Sequence, residues 1–183
     1  MTLETKRLYL RPWEEGDEEA LYQLAKDPEV GPDCGWKPHK DREESRYVLR
    51  RLLMNQYTWA IVEKDSGNVV GDISLMPHGT SSHTENEAQR EIGFWLGRPY
   101  WGRGYMPEAC RRLMDYAFGE LNCELLWCGH HVDNQKSHRV QEKCGFHYHH
   151  REEEHYFAQL GIRRSGIVNR ITREEWAEQK KQG

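Results

Sequence analysis

Residues 91–105 read EIGFWLGRPYWGRGY, and this stretch decides the fold class. Its first six residues form an apolar strand, and Gly102-Arg103-Gly104 is a turn ahead of a helix that begins near Pro107 and covers residues 107–119. A glycine-rich turn that opens a helix directs successive backbone N–H groups at one point, where the helix dipole adds partial positive charge. The stretch therefore predicts a phosphate or pyrophosphate site, with a simple tight turn as the alternative.

Two common nucleotide-binding motifs do not fit this turn. The phosphate loop of nucleoside triphosphatases ends in Gly-Lys-Ser/Thr, a sequence that does not follow Gly104. The dinucleotide fingerprint G-x-G-x-x-G places its third glycine where this chain has Pro107. Neither class of nucleotide-binding protein is therefore indicated.

The composition is that of an ordinary globular domain. The chain has 183 residues, of which 37% are hydrophobic and 16 are glycine, and this predicts one domain over residues 1–183. The net charge of −4 leaves no basic stripe for a nucleic acid or an anionic membrane, and no apolar run is long enough to cross a bilayer. Five scattered cysteines favour reduced thiols over a disulfide framework. We therefore expect a soluble cytoplasmic protein without nucleic-acid or membrane partners.

The rest of the chain alternates between strand and helix patterns, and no linker or repeat divides it. Strands that precede, separate and follow helices predict a single α+β or α/β sheet covered by helices. The predicted strands cover residues 8–12, 59–64, 69–75, 91–96 and 125–132, one that begins at Phe146 and one within 165–171. The other predicted helices begin after Asp17, cover residues 43–54 and cover residues 137–144, and a polar tail ends the chain.

A second informative segment is residues 134–146, NQKSHRVQEKCGF. Asn134 ends a predicted strand and Ser137 opens the next helix, so both side chains should cluster at the strand end, where open sheets place ligands. The simpler interpretations are that Ser137 is the N-cap of its own helix and that Asn134 is a turn residue.

In combination, these motifs resemble the GNAT family of acyl-CoA-dependent N-acetyltransferases. The resemblance implies a single mixed, mostly antiparallel sheet with helices on both faces. It also implies transfer of acetyl from acetyl-CoA to a primary amine, a protein N-terminus or a small-molecule amine, by direct attack. The opening TKRLYLRPW, residues 5–13, is similar to the branch that contains ribosomal-protein N-terminal acetyltransferases. The motifs that carry the resemblance are residues 91–96, Trp101-Gly102-Arg103-Gly104-Tyr105 with Glu108-Ala109, Asn134-x-x-Ser137, and Lys143-Cys144-Gly145-Phe146.

One position departs from the pattern of the family. The family's turn commonly carries Gln or Arg three residues before the first glycine, and this chain has Pro99 there, with Arg98 one residue earlier. The departure removes the usual side-chain contact with the phosphates. It leaves the backbone cradle intact.

The resemblance also implies roles for the site residues. The backbone of Phe94, Trp95 and Leu96 faces the pantetheine arm and the thioester of the cofactor. Asn134 contacts the pantetheine, and Ser137 protonates or hydrogen-bonds the leaving thiolate. The backbone N–H groups that would hold the pyrophosphate are those of Gly102, Arg103, Gly104, Tyr105 and Met106.

The attacking amine must first lose a proton, because an α-amino group titrates near about pH 8 and a lysine near about pH 10.4. Glu91 is the first candidate for the base, acting through water, and a solvent-facing carboxylate is its simpler interpretation. His39, His131 and bulk water are the other candidates. A hydrogen bond that staples its loop is the simpler role for His39, and a place in the core is the simpler role for His131.

The cysteines and histidines of residues 123–155 lack the spacing of a compact zinc site, so we expect no metal. A non-catalytic CoA-binding module for sensing or interaction, with the same fold, is the alternative function. The joint presence of Asn134 and Ser137 favours catalysis.

Overall fold

The computed structural model describes residues 1–182. The strands in chain order are β1 Leu3–Glu4, β2 Leu8–Pro12, β3 Thr58–Glu63, β4 Val69–Pro77, β5 Gln89–Leu96, β6 Leu125–His131, β7 His147–Arg151, β8 His155–Phe157, β9 Ile162–Arg164 and β10 Gly166–Thr172. The α-helices are α1 Glu18–Ala25, α2 Arg42–Val48, α3 Tyr105–Gly119, α4 Gln135–Lys143 and α5 Arg173–Gln182. A π-helical turn, Leu49–Leu53, continues α2, and the short 3-10 helices are Pro32–Cys34 and Arg98–Tyr100.

Eight strands form one sheet in the order β1-β2-β3-β4-β5-β6-β10-β7, and β8 and β9 form a separate hairpin. The pairs of the large sheet are antiparallel except for β5 and β6, which run parallel. The prediction of a mixed, mostly antiparallel sheet is therefore confirmed.

The helices pack on both faces of this sheet. On one face, the apolar side of α3 covers the central strands and forms the larger core, which includes Leu113 and Phe118. On the other face, Leu21 and Leu24 of α1 pack with Leu49 of the π-helical turn over Ala60. Burial of these apolar side chains on the two faces is the main favourable term in folding.

The two parallel strands separate after only three residues. Gln89, Arg90 and Glu91 of β5 pair with residues 125–127 of β6, and no pairing is present beyond Glu91 in the described chain. From there β5 stays with β4, whereas β6 stays with β10. The sheet is therefore open between the C-terminal ends of β5 and β6.

Several element bounds differ from the sequence-based expectations. The segment expected to be a polar tail forms α5, whose Trp176 packs on Phe118 of α3 with the ring centroids 5.3 Å apart. The helix expected over residues 43–54 is a shorter α2 followed by the π-helical turn. Strands β1, β8 and β9 were not expected because segments of two or three residues carry no readable alternation. Within residues 1–182, no helix is both long and apolar enough to span a membrane.

Candidate active site

A cavity of about 590 Å³ occupies the opening between β5 and β6. Glu91 and Phe94 line it from β5, and the turn before α3 lines it through Gly102 and Gly104. Ser137 of α4 lies on its opposite wall. The structure therefore brings the two segments that the sequence singled out to one place.

The backbone of β5 presents alternate residues to this cavity. The N–H of Gly97 donates to the carbonyl of Val70 at 2.9 Å, which sets the phase of the antiparallel ladder between β4 and β5. In that phase the backbone groups of Trp95 face β4, and those of Phe94 and Leu96 face the opening. The indole of Trp101 donates to the Leu96 carbonyl at 2.8 Å. Among the described residues, both backbone groups of Phe94 and the N–H of Leu96 are therefore without a partner, and Trp95 contributes to the wall.

The turn before α3 owes its shape to two glycines. Gly102 and Gly104 have φ of 75° and 76°, a left-handed conformation that strains other residues by about 1–2 kcal/mol. Gly104 is the N-cap position of α3. Across residues 1–182, we find no acceptor for the five N–H groups of Gly102, Arg103, Gly104, Tyr105 and Met106. Such a run of free donors at a helix N-terminus is suited to an anion, and we refer to these five N–H groups as the cradle.

Arg7 of the first segment fixes this turn from outside the cavity. Its Nη1 donates to the carbonyl of Arg103 at 2.9 Å, and its Nε donates to the carboxylate of Glu108 at 2.7 Å. The same guanidinium lies 4.6 Å from the ring centroid of Tyr105. Because the side chain of Arg7 holds the turn from behind, the N–H groups remain free on the cavity side.

The side chains of the turn have partners within the protein. Arg103 lies 3.7 Å from the Glu63 carboxylate and over the ring of Tyr100, and the hydroxyl of Tyr105 donates to the same Glu63. Met106 is buried in the core below α3. The expected contribution of these residues to cofactor binding is therefore confined to their backbone.

The departure at Pro99 has a structural counterpart. Arg98 lies 2.9 Å from the carboxylates of both Asp27 and Glu29, next to α1. Its guanidinium is thereby engaged with two carboxylates of the protein. Arg98 does not replace the missing side chain of the family's turn.

Asn134 and Ser137 are joined by a helix cap, in which Asn134 and not Ser137 is the capping residue. The Oδ1 of Asn134 accepts from the backbone N–H of Ser137 at 3.0 Å, so Asn134 is the N-cap of α4. The interpretation of Ser137 as the cap of its own helix is wrong. Its hydroxyl is released from capping and lines the cavity. The amide of Asn134 also donates to the carbonyl of Asp33 at 3.4 Å.

Glu91 lies where β5 and β6 part, and two side chains hold one of its oxygens. Ser81 donates to Oε2, and the Nδ1 of His83 lies 2.9 Å from the same oxygen, as an ion pair without the alignment of a hydrogen bond. The other ring nitrogen of His83 lies 3.0 Å from Glu152. Glu91 first, and Glu152 after it, raise the pKa of His83 to about 9. His83 is therefore a cation at neutral pH.

The other candidate bases lie in different surroundings. His39 is hydrogen-bonded to Ser45 at 2.8 Å and stacks near Trp36, away from the cavity lining, and this agrees with its simpler role as a loop staple. His131 lines the cavity and packs edge-on against Phe157. Burial lowers the pKa of both histidines.

Sequence reasoning missed His83 and Gln141. His83 sits in a loop whose polar residues gave no periodic signal, and its partner Glu152 is far away in the chain. Gln141 falls in a helix pattern that reads as mostly polar, yet only 1% of it is exposed. In the described chain, no three His, Cys, Asp or Glu side chains are grouped to hold a metal ion.

Comparisons with known proteins identify the family of this chain. Residues 7–147 match the model of the acetyltransferase (GNAT) domain. The chain is 30% identical to the FsC-acetyl coenzyme A-N(2)-transacetylase of Aspergillus fumigatus, over 98% of this chain and 80% of that protein. It is 37% identical to the Bacillus subtilis protein named "Putative ribosomal N-acetyltransferase YdaF", over 44% of this chain and 41% of YdaF. The crystal structure of a GNAT-family acetyltransferase from Bacillus anthracis shares the fold, with a TM-score of 0.82 at 21% identity over 95% of this chain and 99% of that one.

Proposed function

The chain belongs to the GNAT family of acetyl-CoA-dependent N-acetyltransferases, and we propose that the opening between β5 and β6 is its active site. The acceptor that we propose is a primary amine, at a protein N-terminus or on a small molecule. The observation that carries the proposal is the early end of the β5–β6 ladder at Glu91. It leaves a cavity with a cradle of free N–H groups on one wall and the Ser137 hydroxyl on the other.

The residues of the cavity suit the two ends of the donor. Acetyl-CoA supplies an activated acetyl group on a thioester. The N–H groups of residues 102–106 would hold its pyrophosphate, because free donors at a helix N-terminus favour anions. The free backbone groups of Phe94 would hydrogen-bond the pantetheine side, with Asn134 across the opening. Trp95 would wall the acceptor side together with Trp36, whose ring centroid is 5.8 Å away.

Ser137 is the group that we assign to the leaving thiolate. Its hydroxyl lines the cavity and is not needed for the helix cap, which Asn134 provides. A thiol has a pKa near about 8.5, so its anion leaves readily and a donated proton contributes only part of the rate. We assign direct attack by the amine, since the thiols of Cys110 and Cys144 are buried in the core. Burial raises the pKa of Cys34, the thiol that lines the cavity, to about 12, so Cys34 is not a thiolate nucleophile at neutral pH.

Glu91 is the group that we assign to the removal of the amine proton, through a water molecule. Its Oε2 accepts from Ser81 and faces His83, whereas Oε1 has no partner among the described residues and faces Gly129 of β6. The free oxygen is the one that can hold a water. The ion pair with the His83 cation keeps the carboxylate in place.

We extend the acetyltransferase domain beyond the matched residues 7–147, over residues 1–183. Strand β10 joins β6 and β7 in the large sheet, and α5 packs on α3 through Trp176. We also propose a cytoplasmic protein, because the five cysteines are free thiols, which suits a reducing compartment.

The proposal is tested by a panel of acceptors. The protein is incubated with acetyl-CoA, and release of CoA thiol is followed with N-terminal peptides, polyamines and aminoglycosides as separate arms. We expect turnover in one arm and retention of the acetyl group on nitrogen, read by mass spectrometry. Tight binding of CoA by calorimetry with no turnover in any arm would instead indicate a non-catalytic CoA-binding module.

A further inference from the structure

Gln141 is the most deeply buried polar side chain of α4, with 1% of its surface exposed. A buried amide has two donor hydrogens and an acceptor oxygen, and each unpaired group costs free energy. In this protein the amide has four partners, contributed by β6, β10 and α4 itself. The side chain therefore has a defined orientation.

A backbone carbonyl decides which end of the amide is which. The Nε2 of Gln141 lies 3.2 Å from the carbonyl oxygen of Gly129, which can only accept, so this end must be the nitrogen. The opposite end, Oε1, accepts from the amide of Asn169 at 2.6 Å and lies 3.3 Å from Nδ1 of His130. Asn169, itself 4% exposed, thereby keeps the oxygen on the side of β10.

This orientation determines the role of the Ser137 hydroxyl. The second hydrogen on Nε2 of Gln141 is donated to the Oγ of Ser137 at 3.2 Å, one helical turn away. Ser137 therefore accepts from Gln141 and cannot donate to it. Elsewhere in residues 1–182 no group accepts the hydroxyl proton of Ser137, whose side chain borders the cavity. The proton is left to point into the site.

We propose that Gln141 is a positioning residue, which keeps the hydroxyl of Ser137 as a donor toward the leaving group, and this inference rests on the proposed role of Ser137. In water a serine hydroxyl turns freely and accepts as readily as it donates. Because the amide of Gln141 donates to the Ser137 oxygen, the hydroxyl directs its own proton to the cavity side. Gln141 itself does not contact the reacting atoms.

The experiment is a double-mutant cycle on Ser137→Ala and Gln141→Met. Methionine keeps an unbranched buried side chain but offers no donor. When Ser137 is present, we expect Gln141→Met to lower kcat about 3- to 10-fold, with the KM for acetyl-CoA little changed. This loss is smaller than the roughly 10- to 100-fold loss expected for Ser137→Ala, because the hydroxyl is still present but no longer oriented. In the Ser137→Ala background, Gln141→Met should have no further effect on kcat.

The control is Cys144→Ala, which removes another buried side chain at the end of α4, one whose hydrogen-bond partner is the carbonyl of Pro107. It should lower the melting temperature and leave kcat per folded molecule unchanged. The positioning role is overturned if Gln141→Met leaves kcat unchanged, or lowers it equally in both backgrounds. Wild-type kcat in Ser137→Ala alone would overturn the proposed role of Ser137, and with it the positioning role.

Discussion

The backbone N–H of Ser137 lies 3.0 Å from the side-chain oxygen of Asn134, so one residue caps α4 and the other is free for chemistry. These two neighbours are therefore separable by experiment. Asn134→Ala removes the cap together with the proposed contact to the pantetheine, so it should lower the free energy of unfolding in urea by about 1 kcal/mol and raise the Kd for CoA in calorimetry.

Ser137→Ala should chiefly affect turnover. The helix keeps its cap, and the loss to stability is about 1 kcal/mol for the hydrogen bond from Gln141. We expect kcat per folded molecule to fall roughly 10- to 100-fold, because the leaving thiolate loses its proton donor. Steady-state rates and thermal melting on the same preparation measure both effects. An unchanged kcat would mean that the thiolate leaves unaided.

Gly102→Ala should weaken CoA binding, and Gly67→Ala is a matched control. Both glycines have positive φ, 75° and 72°, and both have open space around the position of an added Cβ. The backbone strain of about 1–2 kcal/mol is therefore the same at the two sites. Only Gly102 belongs to the N–H cradle, so only its variant should raise the Kd for CoA in calorimetry, by about 10-fold. Equal Kd values for the two variants would show that the cradle does not bind CoA.

Arg7→Ala should raise the Kd for CoA, whereas Arg98→Ala should not. Arg7 holds the turn through the carbonyl of Arg103, and its loss lets the cradle move. Arg98, the residue next to the family's usual phosphate contact, is paired with Asp27 and Glu29. We expect an increase of about 5-fold for Arg7→Ala, from the loss of about 1 kcal/mol of positioning. A larger effect of Arg98→Ala would show that its side chain reaches the phosphates when CoA is bound.

Glu91→Gln should lower kcat at neutral pH by about 10- to 100-fold, because a neutral amide cannot take a proton from water. The defect should shrink as the pH approaches about 9, where an α-amine is mostly deprotonated without help. The Kd for CoA should stay unchanged in calorimetry. A rate equal to the wild type at pH 7 would transfer the role to His131 or to bulk water.

The protein should lose stability at alkaline pH, because His83 loses its charge there. Its pKa is about 9 in the folded protein, above the ordinary value of 6.5, so its contribution is complete below about pH 6.5 and is lost as the pH rises through 9. The contribution is of the order of 1 to 3 kcal/mol. Urea unfolding at pH 6, 8 and 10 should show this loss in the wild type and a flatter profile in His83→Gln. Identical profiles would mean that the pair with Glu91 does not hold His83 charged.

The segments that carried the family resemblance were predictable because their signals are local. Glycines ahead of a helix indicate a turn with positive φ, and the strand before them has a continuous apolar pattern. A helix start next to a strand end was visible at residues 134–137, and its cap was expected at Ser137, whereas the structure has the cap at Asn134. Which of the two residues was the cap could not be read, since asparagine and serine are equally suited to it.

The remaining parts of the site depend on contacts between residues far apart in the chain. Arg7 meets Glu108 and His83 meets Glu152, and no periodic pattern connects such pairs. Gln141 looked like a surface residue of a polar helix, and only the arrival of Asn169 beside it explains its burial. Tertiary partners of this kind override the local pattern.

Strand β10 lies between β6 and β7 in the sheet but follows both in the chain. During synthesis from the N-terminus, β6 and β7 are therefore made before the strand that joins them. Within residues 1–182, β7, whose residues are all exposed, pairs with β10 alone, and β10 leaves the ribosome later. Asn169, which orients Gln141, arrives with that last strand. The cradle of residues 102–106 needs no part of it. We therefore expect a nascent chain to form the turn that we propose for the donor before Asn169 and Gln141 can orient Ser137.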